Sequence, residues 1–460
     1  MMDREKVTLR EKIGYGFGDA ASSMVWKLFT MYWLFFYTDI AGISVAVVGT
    51  MIFITRFWDA LLDVGIGILA DRTKTRWGKF RPYLLWGAIP FSIAGVLTFT
   101  APDLSPIGKI VYAYISYSVM MIIYSFVNVP YASLLGVMTA NSKVRTQLSS
   151  YRMIFAFIGS IVVLLLVEPL VEYFSKQTGT VDYKHGWQMA VMVFSVVAAI
   201  LFFLCFAWTK ERVKPIKEKS NSISEDIKDL WANRPWWILL GASISTIMFN
   251  SIRDGVAVFY FKYNVIDAPV FSFATTSLGL ITIYLVLGQA ANIVGILIAS
   301  PLSSRIGKKY TFFTAMSVAT FFSMLFYFID YGNISLILMC QFIISICAGA
   351  VTPLLWSMYA DTADYSEWKT GRRATGLVFS ASSMSQKLGG ALGVAIVGWL
   401  LAYFGYLSGA VQTINTQVGI KMMMSLFPAI ATLLSALFIF IYPLNEKKIE
   451  RITIDLDKKR

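Results

Sequence analysis

The chain has few charged residues, one histidine and three cysteines. Only 15% of its 460 residues are charged, whereas a soluble globular protein has about 25%. A single histidine, His185, excludes histidine relays and zinc sites built on several histidines. Cys205, Cys340 and Cys347 lie in apolar runs without metal or redox spacing, so we expect packing thiols. An ordinary soluble enzyme and a disulfide scaffold are therefore excluded.

The chain is instead rich in long apolar segments. Hydrophobic residues make up 57% of it, and a membrane helix needs about 20 mostly apolar residues. The sequence therefore predicts an all-α membrane protein with twelve transmembrane helices. The predicted spans are roughly 13–38, 45–70, 82–100, 108–138, 147–173, 187–209, 236–262, 276–300, 309–329, 333–360, 374–404 and 419–443.

The distribution of basic residues predicts the orientation. The net charge is +13, and most of the 40 lysines and arginines fall at the two termini and in alternate connections. The positive-inside rule then places both termini in the cytoplasm of a cell (inner) membrane protein. Because the basic charge marks topology, we expect membrane lipid and a small solute as partners, and no nucleic acid. The opposite connections carry Lys109, Lys176, Lys184, Lys262 and Lys421.

The chain contains a weak internal repeat. Arg76-Trp77-Gly78-Lys79 returns as Arg305-Ile306-Gly307-Lys308, and Pro130 returns as Pro353. Both pairs are separated by about half the chain, so we predict two six-helix pseudo-repeats with a substrate site between them. The predicted parts are an N-terminal half 1–209, a connection 210–235, a C-terminal half 236–443 and a tail 444–460.

The second predicted helix carries the densest set of charges. Arg56, Asp59 and Asp63 share one helical face. Two carboxylates one turn apart supply oxygens to Na⁺, or carry a proton when burial raises a pKa. The alternative is that Arg56 neutralises an aspartate in a structural pair. We therefore expect a coupling ion, Na⁺ or H⁺, and no cofactor.

Polar residues also follow one face of the first predicted helix. Asp19, Ser23 and Lys27 are spaced four apart, and such a mixed stripe suits a hydroxyl-rich ligand that both donates and accepts hydrogen bonds. The alternative is an internal salt bridge, or a pair between Lys27 and an acid of the second helix. Either way, polar groups are placed at bilayer depth, where they require a partner or a function.

The fourth predicted helix contains a proline that frees a backbone carbonyl one turn earlier. Freed carbonyls and Ser125 can line a cavity, and Asn128 can bond a ligand or another helix. The segment concerned is Tyr124-Ser125-Phe126-Val127-Asn128-Val129-Pro130.

Three further residues at depth are candidates for substrate binding. Arg152 and Lys387 are cations in the fifth and eleventh predicted helices, and Lys387 could reach the acids of the second helix. Trp356 could stack on a sugar ring or simply pack. No nucleophile–base or metal constellation accompanies them, so we do not expect an enzyme.

Two charged segments are expected at the cytoplasmic side. A basic connection runs from Asp71 to Pro82 and includes Arg81, and an acidic segment, Asp361–Lys369, ends the tenth predicted helix. Surfaces of opposite charge in the two halves could form a gating lock. The alternative is a solvated topology signal.

Together these motifs resemble the glycoside–pentoside–hexuronide:cation symporters, the melibiose-permease group of the major facilitator superfamily. The resemblance covers essentially the whole chain and implies cation-coupled uptake of a glycoside, pentoside, hexuronide or oligosaccharide by alternating access. The segments that carry it are Lys12–Gly18, Tyr37–Ile40, Arg56–Asp63, Arg76–Pro82, Ala360–Lys369 and Lys387.

The resemblance also implies residue roles. It implies a cation site at Asp59, Asp63 and Ser125. It implies a sugar site at Arg152 and at the positions singled out on the first and fourth helices, with Lys387 linked to the cation region. The implied gating residues are Arg145, Asp361, Asp364, Glu367 and Arg373, to which the basic connection adds Asp71 and Arg81.

Two departures from the family pattern bear on the substrate. Sugar-binding acids of the melibiose permeases align with Ser23 and Asn128, and an aromatic residue aligns with Ala132, whereas Asp19 is an acid at an apolar position. Melibiose itself is therefore not expected. A lysolipid or amphipath carrier of the same fold, and a membrane sugar sensor that does not transport, remain as alternatives.

Overall fold

The computed structural model describes residues 7–139, 142–177, 181–212, 228, 230–265, 269–273, 276–371 and 375–459, and over these ranges it is almost entirely helical. The first six long helices are α1 Leu9–Met31, α2 Val45–Arg72, α3 Arg81–Thr98, α4 Pro106–Met138, α5 Ser142–Ser175 and α6 Tyr183–Trp208. The later helices are α7 Arg234–Tyr260, α8 Leu280–Ile306, α9 Lys308–Phe328, α10 Ile334–Thr370, α11 Thr375–Tyr403, α12 Ile414–Met424, α13 Leu426–Phe440 and α14 Glu446–Lys459.

Nine helical segments within the described ranges are long and apolar enough to cross a membrane. The other three predicted spans are helical as α1, α2 and α3, and they include the polar stripe of α1 and the acids of α2. The fold is thus that of a multi-pass membrane protein. The nine segments are 106–138, 147–175, 183–208, 234–265, 280–306, 308–328, 334–370, 384–403 and 414–440.

By its internal contacts the chain divides into two compact units. The first comprises Met1–Lys217 and Ala268–Thr282, and the second comprises Glu218–Asp267 and Ile283–Arg460. An antiparallel hairpin of β1 Pro269–Phe273 and β2 Thr276–Gly279 precedes α8. The sequence did not predict this hairpin, which together with the first residues of α8 belongs to the first unit.

The internal repeat is visible in local backbone structure. A π-helical turn, Phe36–Ile40, ends the first helical stretch of the first unit, and a second, Phe261–Val265, continues α7. The two repeated basic motifs each place a glycine in the left-handed region, Gly78 at φ 112° and Gly307 at φ 87°. Only glycine adopts this conformation readily, so the motif fixes a sharp turn before α3 and before α9.

Each of these turns is closed by a glutamate from a distant part of the sequence. The carboxylate of Glu211 accepts the backbone N–H groups of Lys79, Phe80 and Arg81 at 2.8, 2.8 and 2.9 Å. These groups begin α3 and have no partner within the helix. A Cβ on Gly78 would collide with the same carboxylate, so the glycine is needed for space as well as for φ.

The second unit uses the same device with fewer hydrogen bonds. Glu446 Oε1 accepts the N–H of Lys308, the first residue of α9, at 2.7 Å. A Cβ on Gly307 would lie 2.9 Å from Glu446 Cγ. The repeat therefore includes one glutamate in each half. It follows the last apolar helix of that half and caps the third helix, α3 in the first half and α9 in the second.

Close helix packing brings the polar residues of α1 and α5 together. A Cβ on Gly159 of α5 would lie 2.7 Å from the carbonyl oxygen of Ala20 on α1. Small residues allow two backbones to approach in this way, because dispersion and not the hydrophobic effect holds helices together in lipid. The contact lies next to Asp19 on α1 and about two helix turns from Arg152 on α5.

In the second unit a buried arginine completes a broken helix. Arg253 is 6% exposed, and its guanidinium donates to the carbonyl of Met424 at 2.8 Å, to Tyr284 Oη at 2.6 Å and to Gln341 Oε1 at 2.8 Å. Met424 ends α12, and Ser425 leaves the helical conformation at φ −126° and ψ −75°. A carbonyl freed inside a membrane segment requires a donor, and Arg253 supplies it.

Replacing Glu211 by alanine should destabilise the carrier by about 2 kcal/mol, because three helix N–H groups lose a charged acceptor. The matched variant Glu446→Ala affects the N–H of Lys308 alone and should lower the melting temperature less. Thermal unfolding of the purified protein in detergent measures both. Equal decreases in melting temperature for the two variants would show that the number of cap hydrogen bonds does not determine the loss of stability.

Candidate functional site

The predicted cation site lies between α2 and α4. Asp59 is 1% exposed, and Ser125 Oγ donates to its Oδ1 at 2.8 Å. Asp63 follows one turn later on α2 and is half-buried. The structure thus places Ser125 against the first acid, and the binding of a cation there stays a prediction. The side chain of Arg56, the third residue of the predicted cluster, lies outside the described residues.

A cleft of about 290 Å³ opens beside Asp59. Its polar lining consists of Thr55, Asp59 and Ser118, and the rest is mainly apolar. Ligand pockets for drug-sized molecules measure about 300–1,000 Å³, so the volume of this cleft lies at the lower end of that range. The remaining lining residues are Ile54, Trp58, Leu62, Tyr114, Met121 and Ile122.

The ligand types around this cleft indicate which ion could bind. Carboxylate and hydroxyl oxygens suit a hard cation such as Na⁺, and a buried carboxylate also suits a proton. Among the described residues, no group of three or more His, Cys, Asp or Glu is arranged to hold a metal ion. The carboxylate of Asp59 and the hydroxyl of Ser125 therefore offer oxygen ligands that fit Na⁺, and a carboxylate that fits a proton.

Asp19 of α1 is paired with Arg152 of α5. Arg152 Nε lies 3.1 Å from Asp19 Oδ2, and its guanidinium lies 5.2 Å from the centre of the Tyr131 ring. Tyr131 Oη in turn donates to the carbonyl of Tyr15 at 2.6 Å. A Cβ on Gly18 would collide with the Tyr131 ring. Asp19 therefore has its partner on another helix of the same unit.

A second polar contact joins α1 to α4. Ser22 Oγ lies 2.9 Å from Asn128 Oδ1 and 3.0 Å from the carbonyl of Gly18. Asn128 Nδ2 donates to the carbonyl of Tyr124 at 3.0 Å. Sequence reasoning selected Ser23, which is half-buried, and missed Ser22. The signal that could have found it is the Ser22-Ser23 pair, whose members point about 100° apart on a helix.

An aromatic residue and a buried cation are adjacent on α1, and the aromatic ring contacts a ring of α4. Trp26 and Tyr124 have ring centroids 5.1 Å apart. Lys27 is 8% exposed. The structure thus places Asp19, Ser22 and Lys27 on an α1 that packs against α4 and α5. Their contact with a substrate stays a prediction.

The candidate residues of the second unit occupy α10 and α11. Lys387 is half-buried on α11. Trp356 on α10 is 36% exposed, with its ring centroid 6.2 Å from that of Tyr359. Their roles in binding stay predictions.

Several of the predicted gating residues have contacts within their own unit. Arg81 donates through Nη2 to the carbonyl of Phe206 at 2.6 Å. Lys308 Nζ lies 2.8 Å from Asp361 Oδ2, so the first acid of the acidic segment is neutralised inside the second unit. Asp364 and Glu367 are half-buried on α10. The side chains of Asp71, Arg145 and Arg373 lie outside the described residues, and the lock stays a prediction.

Comparison with known proteins identifies the family. A sequence model for the family described as MFS/sugar transport protein matches residues 14–446. The putative glycoside/cation symporter YagG of Escherichia coli (strain K12) is 36% identical, over 99% of this chain and 96% of its own. This chain belongs to the glycoside–pentoside–hexuronide:cation symporter family of the major facilitator superfamily.

Other comparisons agree with this family. The isoprimeverose transporter of Lactiplantibacillus pentosus is 35% identical, over 100% of this chain and 93% of its own. A bacterial homologue of the human lysosomal transporter Spinster matches in structure with a TM-score of 0.67 at 13% identity, covering 96% of this chain and 97% of that one. The latter shows the fold alone. Members of this symporter family are transporters and not enzymes.

The pair of Asp19 and Arg152 should be energetically coupled. Asp19→Asn leaves a partly buried guanidinium without its counter-charge and should cost about 1–2 kcal/mol of stability, less than a fully buried pair because Arg152 is 33% exposed. The double variant Asp19→Asn/Arg152→Gln should recover part of this loss. Thermal unfolding in a double-mutant cycle measures the coupling. Additive effects would show that the charges act independently.

Proposed function

We propose that this protein is a cation-coupled symporter that takes up a glycoside or a related small sugar by alternating access. The observation that carries the proposal is the buried Asp59, hydrogen-bonded to Ser125, with Asp63 one turn away in a member of a cation:glycoside symporter family. Two relatives are named a putative glycoside/cation symporter and an isoprimeverose transporter, which supports a glycoside as the substrate class.

The proposed cation site consists of Asp59, Asp63 and Ser125. Two carboxylates one turn apart repel each other in a medium of low dielectric. A bound Na⁺ or a proton lowers that repulsion, so loading stabilises the packing of α2 against α4. Which of the two ions couples transport is the first question that an uptake assay answers.

The proposed sugar site lies along α1, α4 and α5. A sugar hydroxyl both donates and accepts, and Asp19, Arg152 and Asn128 offer both kinds of partner. Tyr124 adds an aromatic face to which a sugar ring can stack. Further proposed contacts are Ser22, Ser23 and Lys27.

Helix α4 offers a physical basis for coupling. Tyr124, Ser125 and Asn128 lie within two turns of that helix, so the proposed cation ligand and the proposed sugar ligands share one rigid element. Cation binding at Ser125 would then fix the position of the sugar ligands. In thermodynamic terms, this is positive cooperativity between the two sites, with a favourable coupling free energy that is reciprocal.

The two alternatives are less well supported. An amphipath carrier is not favoured by relatives that are named a putative glycoside/cation symporter and an isoprimeverose transporter. A sensor that binds sugar without moving it would be an exception among relatives that are named symporters or transporters. A counterflow assay in proteoliposomes separates the three functions, since only a sugar carrier exchanges labelled sugar across the bilayer.

The variants Asp59→Asn and Asp63→Asn should each abolish uphill sugar accumulation, because each removes a negative charge from the cation site. Exchange of sugar down its gradient should persist, since the proposed sugar ligands lie mainly elsewhere. Uptake and counterflow in proteoliposomes, with and without a Na⁺ gradient, measure the two activities. The control is Glu172→Gln, an exposed acid paired with Lys176. Normal accumulation by both aspartate variants would refute the cation site.

We also propose that the protein lies in the cell (inner) membrane with both termini in the cytoplasm. A cysteine introduced at the exposed Lys447 should then stay unlabelled by a membrane-impermeant maleimide in intact cells. A cysteine at Lys176, exposed on the opposite predicted side, should be labelled. The reverse pattern would invert the proposed topology.

A further inference from the structure

The connection between α2 and α3 has a well-defined structure. Thr73 Oγ1 donates to the carbonyl of Leu69 at 2.9 Å and lies 2.6 Å from Tyr83 Oη. Thr75 Oγ1 donates to the carbonyl of Gly78 at 2.8 Å. These bonds attach alternate residues of the segment to the protein, so its remaining side chains have a fixed direction.

The residues that alternate with Thr73 and Thr75 are three cations. Arg72, Lys74 and Arg76 are exposed, whereas Thr73 and Thr75 between them are half-buried. Thr73 leaves the helix with an extended backbone, at φ −67° and ψ 131°. We call Arg72, Lys74 and Arg76 the cationic strip.

The cationic strip begins where an exposed apolar face of α2 ends. Trp58 is 62% exposed and Leu69 is 53% exposed, which is typical of lipid-facing positions in a membrane helix. Arg72 follows Leu69 by three residues and therefore lies on the same face, one turn further on. Trp86 near the start of α3 is 45% exposed. The strip is thus placed at the level of the lipid headgroups.

The strip has no carboxylate partner among the residues that the structure describes. The one contact recorded there for its side chains is that of Arg76, whose guanidinium lies 4.5 Å from the centre of the Trp77 ring. The charge of the strip is therefore left available to an anion from outside the protein.

We propose that the cationic strip binds the phosphate groups of anionic phospholipids at the membrane surface. Anionic headgroups attract basic residues placed just beyond a membrane helix. A fixed row of three cations next to lipid-facing Leu69 provides such a surface, and the arginines can hydrogen-bond phosphate through two N–H groups. This site goes beyond the proposed transport function and does not depend on it.

The test compares the lipids retained by the carrier from bilayers of defined composition. Wild-type protein is reconstituted into phosphatidylcholine containing phosphatidylglycerol and extracted mildly, and the retained lipids are counted by native mass spectrometry. In the variant Arg72→Gln/Lys74→Gln/Arg76→Gln, the ratio of retained phosphatidylglycerol to phosphatidylcholine should fall, by about fivefold for each cation removed at low salt. The fall should shrink as salt is raised.

Two controls make this result specific. Lys210→Gln/Lys447→Gln/Arg451→Gln removes the same charge from other exposed positions and should retain phosphatidylglycerol like the wild type. Arg72→Lys/Arg76→Lys keeps the charge and should also retain it, which separates loss of charge from misfolding. Equal ratios for the strip variant and the wild type would overturn the proposal, and so would an equal loss in the first control.

The competing occupant of the strip is the acidic segment of α10. Sugar uptake in bilayers of phosphatidylcholine alone distinguishes the two. If Asp364→Asn/Glu367→Gln and the strip variant lose uptake equally in such bilayers, the strip serves the gating lock and the lipid site is refuted. If the strip variant differs from the wild type only when phosphatidylglycerol is present, the lipid site is supported.

Discussion

A charge carried into the bilayer must find its partner inside the protein, because lipid offers no hydrogen bonds. This requirement accounts for the arrangement of the polar residues in both units. Asp19 is held by Arg152, Asp59 accepts from Ser125, and Arg253 binds a carbonyl that a helix break sets free. The contacts of Asp19 and Asp59 join helices that are distant in sequence, so the polar groups that are available for transport also position α1, α2, α4 and α5.

The two halves repeat the same construction but differ in how they neutralise charge. Both use a left-handed glycine and a glutamate cap at the start of their third helix. The second unit then pairs Lys308 with Asp361, whereas the position that corresponds to Asp361 in the first unit, by the offset of the repeated prolines, is the buried Met138. Among the residues that the structure describes, Lys79, which corresponds to Lys308, therefore has no ion pair of this kind.

Periodicity and length in the sequence were enough to predict the helices, the repeat and the shared face of Asp59 and Asp63. They could not predict the contact between Ser22 and Asn128, because it depends on a rotation of α1 that is set by packing on α4 and α5. Nor could they predict that Asp19 pairs with Arg152, a residue on another helix. The hairpin before α8 was missed for a further reason, since its segment falls partly inside an apolar run that predicts helix.

The glutamate caps also affect how the chain is completed during synthesis. The residue that closes the start of α3 is Glu211, 130 residues after Arg81, and the one that closes α9 is Glu446, 138 residues after Lys308. A nascent chain that ends before Glu211 has all the N–H groups of that turn but no acceptor for them. The cap hydrogen bonds of each half can therefore form only after the residue that follows its last apolar helix has been synthesised.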